Sequence, residues 1–179
     1  MAKSSVSYKR LSKELSNMSN PSSSPDPDIY LRPSRCPTSS LSESIEAMYK
    51  WNALLRGPSS SPYEGGVFGL SISVPKNYPL TPPTLKFLTP IFHPNVHPKT
   101  GEVCLDILAK AWSPAWSLQG ACRAVLCILS DPEPSSPLNC DAGNMIRSGD
   151  TLAFNSTAAM MTKEHATNLN WNVLTKATT

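Results

Sequence analysis

Two neighbouring segments of this chain alternate apolar and polar side chains with a period of two, and this pattern constrains the fold most strongly. They cover residues 47–55 and 68–74. Successive side chains of a strand point to opposite faces of a sheet, so each segment is typical of a strand with one buried face. The intervening GPSSSPYEGG has the composition of a hairpin loop. The pattern therefore predicts two antiparallel strands that pair through this loop.

Two shorter segments extend the predicted sheet. A short strand is expected around residues 29–32, and another at 84–88, directly after a proline-rich turn. No clear period appears again until about residue 117. We therefore predict a four-stranded antiparallel meander followed by a long irregular segment.

Helical periodicity appears on both sides of the strands. The first helix has basic residues beside an apolar stripe of Tyr8, Leu11, Leu15 and Met18. A central, mostly buried helix is predicted after Ser117, a suitable N-cap, and before Pro132. Residues 131–149 are turn-rich, and Asp150 then precedes a helical stripe of Phe154, Ala158, Met161 and His165. Early strands and late helices predict an α+β fold with the helices on one side or end of the sheet.

Length and composition indicate one domain over residues 1–179, with Pro/Ser-rich loops at 19–28 and 33–44. The 40% of hydrophobic residues suffice for a continuous core, and a net charge of +3 without long basic runs does not suggest nucleic-acid binding. The longest apolar stretch, 121–129, is interrupted by Arg123 and is far short of a membrane span. We expect a soluble, intracellular protein.

Five cysteines are scattered along the chain without the spacing of a zinc site, and their number is odd. We expect neither a disulfide framework nor a metal site. Cys122 and Cys127 fall on the central helix, where packing is the expected explanation, and Cys36 and Cys140 lie in turn-rich segments.

The remaining cysteine, Cys104, lies in the irregular segment from about 89 to 116. Long segments without secondary structure inside a compact domain are commonly functional. This one contains FHPNV, GEVCLDIL and WSPAWSL in that order.

These three motifs resemble the active-site segment of the ubiquitin-conjugating enzymes, and PYEGGVF and YPLTPPTLKF resemble further parts of that family. The similarity extends over roughly residues 5 to 170 and implies the family fold, with an N-terminal helix, a four-stranded antiparallel meander, a central helix and C-terminal helices. Within the family, the sequences VHPKTGE and SPLNCDAGNMIRSGD are most similar to those of its peroxisomal members.

The resemblance implies that Cys104 accepts ubiquitin as a thioester from the activating enzyme and passes it on with a RING-type ligase. Thiolates are strong nucleophiles and good leaving groups, as such a relay requires. Asn95 matches the family asparagine near the nucleophile, and its amide suits either stabilising an oxyanion or holding the active-site loop. No cofactor is implied in this chain, since ATP serves the activating enzyme.

The resemblance also implies partner surfaces. The activating enzyme and ligases would contact Arg10, Leu80, Pro114 and Ala115. Similarity to the peroxisomal members implies a membrane-anchored recruiting protein, the matrix-protein import receptor as substrate, and a location on the cytosolic face of the peroxisome.

Two departures from the family pattern concern the acceptor side and the nucleophile loop. Many members have an aspartate where this chain has Ser136, and that carboxylate orients or desolvates an incoming lysine. Either Glu133 or Asp141 substitutes, or the acceptor needs less activation, as a cysteine would. The loop between Asn95 and Cys104 has eight residues, one more than in many members.

Other residues have simpler interpretations. His93, before a proline, is expected to be a structural histidine, and Trp112 and Trp116 to be core or loop anchors. Asp106 is expected to cap local backbone. Alternative functions are a general cytosolic ubiquitin-conjugating enzyme and an inactive ubiquitin-binding module; a cysteine hydrolase is disfavoured because no histidine partner is evident.

Overall fold

The computed structural model describes residues 6–19, 26–34, 45–104 and 112–167. Its elements, in chain order, are α1 Val6–Met18, β1 Ile29–Pro33, β2 Lys50–Arg56, β3 Val67–Ser73, β4 Thr84–Phe87, α2 Leu118–Ser130, α3 Cys140–Arg147 and α4 Thr151–His165. Much of the two Pro/Ser-rich loops lies outside these residues. None of the helices in the described part is long and apolar enough to cross a membrane.

The strands form one antiparallel sheet in the order β1-β2-β3-β4, which confirms the predicted meander and the α+β class. In β2, Trp51, Ala53 and Leu55 are buried while the residues between them are less so, as the period of two requires. The predicted strand is wrong at its start, since residues 45–47 form a helical turn. The Trp51 indole donates to the Met48 carbonyl at 2.8 Å and so fixes this turn beside the strand.

The central helix α2 packs against β1 and β2 and begins where the sequence predicts. The Ser117 side chain caps it by accepting from the Gly120 amide at 3.1 Å. On its outer side, Arg123 pairs with Asp26 and Asp28, which precede β1. These ion pairs fix the segment before β1 to the helix that covers the sheet.

The C-terminal part differs from the prediction in two ways. The turn-rich segment contains α3, whose N-cap Asn139 accepts from the Ala142 amide at 3.3 Å. In α4 the buried stripe is Phe154, Ala158 and Thr162, whereas Met161 and His165 are only half-buried. Thr162 can occupy the core because its hydroxyl donates to the Ala158 carbonyl at 2.8 Å.

Helix α1 confirms the predicted apolar stripe, with Leu11 fully buried and Tyr8, Leu15 and Met18 packed against the core. Lys9 and Lys13 are exposed, as expected for a basic outer side. Arg10 is half-buried instead, because its guanidinium bonds to Glu14 and to the Trp116 carbonyl.

Candidate active site

A hairpin that continues from β4 places Cys104. Val96 and Val103 pair in an antiparallel bridge, and the Cys104 amide donates to the Asn95 carbonyl at 2.8 Å. At the turn, Gly101 has a φ of +71°, and a Cβ there would lie 2.2 Å from the Phe87 carbonyl oxygen. Only glycine fits this position, so the hairpin folds tightly against β4.

The turn accommodates the eight-residue loop without separating Asn95 from Cys104. The His97 amide donates to the Glu102 carbonyl at 2.9 Å, and the His97 imidazole accepts from the amides of Lys99 and Thr100. A salt bridge of 2.8 Å between Lys86 and Glu102 braces the same turn from outside. Since the loop closes at residues 97–102, the two predicted site residues remain backbone partners.

The Asn95 side chain is directed at a second loop. It is 1% exposed, and its Nδ2 donates to the Glu133 carbonyl at 2.7 Å while its Oδ1 accepts from the Glu133 amide at 2.9 Å. Both ends of the amide are therefore bonded to one residue of the acceptor-side loop, residues 131–139. Of the two roles open to Asn95, this geometry favours holding the loop.

His93 is fully buried beneath this site. Its Nδ1 accepts from the Asn95 amide at 3.0 Å, so Nε2 carries the proton and donates to the Ile128 carbonyl, also at 3.0 Å. Burial lowers the pKa of His93 to about 4. The neutral ring has both nitrogens engaged, as expected of a structural histidine.

The acceptor-side loop is also held at two other points. The Pro94 carbonyl accepts from the amides of Leu138 and Asn139 at 2.8 and 3.0 Å, and Arg147 of α3 donates to the Pro134 carbonyl at 2.6 Å. Sequence reasoning missed Arg147, because a basic residue at the end of a short helix carries no motif that predicts a distant partner.

Ser136 is exposed on this braced loop, where many family members have an aspartate. Of the two carboxylates considered as substitutes, Asp141 is exposed in the first turn of α3. Glu133 is exposed on the loop itself, and its carboxylate accepts from the Ser135 amide at 2.8 Å. Of the two, only Glu133 bonds to Asn95 in the described residues, and it does so through its backbone.

The residues expected to contact partners lie on α1 and on two loops that hydrogen bonds join to one another. Leu80 is 76% exposed, and Pro114 and Ala115 are exposed on another loop. The Trp112 indole joins the loops by donating to the Pro79 carbonyl at 2.9 Å, and Arg10 donates to the Trp116 carbonyl at 2.8 Å. Both tryptophans are half-buried against the core, which confirms them as anchors.

Of the remaining cysteines, Cys122 is fully buried, and burial raises its thiol pKa to about 12. The packing explanation for Cys127 is wrong, since Cys127 is exposed on the face of α2 that also bears Arg123 and Ser130. Cys140 is exposed at the start of α3. Cys36 and Asp106 lie outside the described residues. Within those residues, no group of three or more Cys, His, Asp or Glu could hold a metal ion.

We compared the sequence and the fold with those of known proteins. Residues 10–162 match the family described as ubiquitin-conjugating enzyme. The chain belongs to the ubiquitin-conjugating enzyme family. Protein PEROXIN-4 of Arabidopsis thaliana is 58% identical over 138 residues, which cover 77% of this chain and 82% of that protein.

Two further relatives of this ubiquitin-conjugating enzyme have similar names. Ubiquitin-conjugating enzyme E2 pex4 of Dictyostelium discoideum is 57% identical over 116 residues, covering 65% of this chain and 78% of that one. The crystal structure of H. polymorpha Pex4p, solved with the soluble domain of Pex22p, is 33% identical with a TM-score of 0.76. It covers 90% of this chain and 99% of that one.

Replacing Asn95 should impair the enzyme unequally. Asn95→Ala releases the acceptor-side loop at Glu133, so transfer of ubiquitin to an acceptor should slow by on the order of 10², the cost of misplacing an active-site element by about 1 Å. Loading should slow less. Single-turnover assays of loading and discharge measure the two steps separately. Asn155→Ala on the exposed face of α4 is the control, and equal slowing of both steps by Asn95→Ala would contradict the prediction.

Burial of His93 should make stability depend on pH. Above about pH 6.5 the imidazole is neutral in the folded and unfolded chains and contributes no pH dependence. As pH falls from there to about 4, the unfolded chain binds a proton that the folded chain does not. The free energy of unfolding should then decrease by up to about 1.4 kcal/mol per pH unit from this group.

Urea denaturation between these pH values checks the contribution of His93. His93→Gln should lose stability less steeply than the wild type, because carboxylate titration is common to both proteins. His165→Gln removes a histidine on α4, away from His93, and should keep the wild-type dependence of unfolding free energy on pH. Identical slopes for His93→Gln and the wild type would show that His93 is not the source.

Proposed function

We propose that this enzyme accepts ubiquitin from the activating enzyme as a thioester on Cys104 and, with a RING-type ligase, transfers it to a substrate. The observation that carries the proposal is the backbone pairing of Cys104 with Asn95, inside motifs that belong to a matched family. The Cys104 thiol is free and half-buried, at the edge of a braced site.

The chemistry required of Cys104 is a reversible exchange of acyl groups. Its thiolate attacks the carbonyl of the ubiquitin C-terminal glycine, a new C–S bond forms, and the activating enzyme's cysteine leaves as a thiolate. The same properties allow Cys104 to leave when an acceptor attacks. This step consumes no cofactor in the carrier, since ATP is spent earlier by the activating enzyme.

A hydrolase would instead need a histidine that activates the thiol and protonates the leaving amine. Both nitrogens of His93 are engaged and its pKa is low, so it cannot exchange protons with Cys104. His97 uses Nδ1 to accept from backbone amides, and His165 lies on α4. These positions support an acyl carrier over a hydrolase.

We further propose that the enzyme acts at the cytosolic face of the peroxisome, where a membrane-anchored protein recruits it. Its substrate would be the matrix-protein import receptor, and ubiquitin would mark that receptor for recycling. The relatives named PEROXIN-4 and pex4, together with the H. polymorpha Pex4p complex with the soluble domain of Pex22p, support this location.

The nucleophile can be tested with ubiquitin, activating enzyme and ATP on gels with and without reductant. We expect an adduct that reductant removes. Cys104→Ser should give a reductant-resistant ester, because the serine oxygen replaces the sulfur, and Cys104→Ala should give no adduct. Cys127→Ala is the matched control, since it removes another exposed cysteine and should load normally. A labile adduct on Cys104→Ala would overturn the assignment, and failure of the wild type to load would favour an inactive ubiquitin-binding module.

The peroxisomal role can be tested in cells. We expect the protein to co-purify with peroxisomal membranes and its deletion to block import of matrix proteins. Cys104→Ala should fail to restore import although it is still recruited, because recruitment does not need the thiol. A protein that stays in the cytosolic fraction and is dispensable for import would instead be a general ubiquitin-conjugating enzyme.

A further inference from the structure

Helix α1 carries a buried carboxylate that the active site does not use. Glu14 is 7% exposed. Its Oε1 accepts from the Arg10 guanidinium at 2.6 Å and from the Tyr78 hydroxyl at 2.7 Å, and its Oε2 accepts from the Leu118 amide at 2.9 Å. A buried carboxylate is costly unless it is paired and hydrogen-bonded, and here three donors satisfy it.

The three donors come from separate parts of the chain. Arg10 is one turn earlier in α1, Tyr78 lies in the turn before β4, and Leu118 is the first residue of α2. The amide at the start of a helix has no partner inside the helix, and the positive end of the helix dipole favours an anion there. Burial, and then the bond to Glu14, raise the pKa of the Tyr78 hydroxyl, so it remains a donor.

These contacts lead directly to the surface expected to bind partners. Tyr78 is two residues from the exposed Leu80, in the same turn. Arg10, whose Nε donates to Glu14, donates with its Nη2 to the Trp116 carbonyl, next to Pro114 and Ala115. The side chain of Glu14 therefore connects the bases of the two loops whose tips form this surface.

We propose that Glu14 is a positioning residue that fixes these two loops relative to each other and so preorganises the surface that binds the activating enzyme. A surface ordered before binding loses less conformational entropy when the complex forms. The inference rests on the proposed function and on the family resemblance, which implies that Leu80, Pro114 and Ala115 meet that enzyme. Glu14 acts through the loops and does not itself touch the partner.

The test is the concentration dependence of loading by the activating enzyme. Glu14→Gln keeps the shape but loses the charge and one acceptor oxygen, so the loops are less ordered before binding. KM for this chain should then rise about tenfold, which corresponds to about 1.4 kcal/mol of ordering free energy moved to the binding step. The kcat of loading should be unchanged. Discharge of the loaded thioester to free cysteine should also be unchanged, since that reaction needs only the Cys104 site. Glu164→Gln, at an exposed glutamate of α4, is the matched control.

A general loss of structure would have a different signature. It would slow loading and discharge together, and this outcome in a variant that still folds would overturn the positioning role. Tyr78→Phe removes one donor and keeps the aromatic ring, so KM should rise by less than with Glu14→Gln. If Glu14→Gln does not fold, Tyr78→Phe decides, and an unchanged KM in that variant overturns the inference.

Leu80→Ala separates this inference from the proposed surface. If Leu80→Ala raises KM while folded Glu14→Gln leaves it unchanged, the surface stands and the positioning role fails. If Leu80→Ala leaves KM unchanged, the surface is misassigned and the inference falls with it. A rise in KM with both variants, at constant kcat and constant discharge, is the expected result.

Discussion

The bonds of one buried residue, Asn95, determine how the active site is assembled. Its backbone amide donates to the His93 imidazole, and its backbone carbonyl accepts from the Cys104 amide. Its side chain forms two hydrogen bonds with the backbone of Glu133. Leaving one buried polar group without a partner costs about 1 to 3 kcal/mol. Moving the hairpin that carries Cys104 away from the acceptor-side loop would break these bonds and cost free energy. Asn95 therefore keeps the two sides of the site together.

Helix α2 connects the site around Asn95 to the buried Glu14 and its three donors. Its first amide, from Leu118, donates to Glu14, and near its other end the Ile128 carbonyl accepts from His93. Both groups lack partners within the helix. At 1.5 Å per residue they are about 15 Å apart along the axis. A buried helix of fixed length therefore separates the surface where partners are expected from the site where the acyl group is held.

The sequence predicted those parts of the fold that depend on local patterns. These parts are the period of two in β2 and β3, the apolar stripe of α1 and the Ser117 cap. Each depends on residues that are close together in the sequence. Helix α3 was missed because CDAGNMIR is only eight residues long and contains glycine and asparagine, which favour turns. Glu14 was missed because its partner Leu118 is 104 residues away. A charged residue three positions after the buried Leu11, on the apolar side of a helix, was the available signal.

The residues of the acceptor-side loop bear on how an acceptor loses its proton. Asn95 uses both ends of its amide on the loop backbone, and Ser136 supplies a hydroxyl where a carboxylate is common. A lysine amine, with a pKa near 10.4, must lose a proton before it attacks, whereas a thiol near 8.5 is deprotonated far more often at neutral pH. A lysine acceptor therefore needs a group that removes its proton, and of the two carboxylates considered, Glu133 is the one whose backbone bonds to Asn95. For a cysteine acceptor, the loop needs only to position the incoming thiolate.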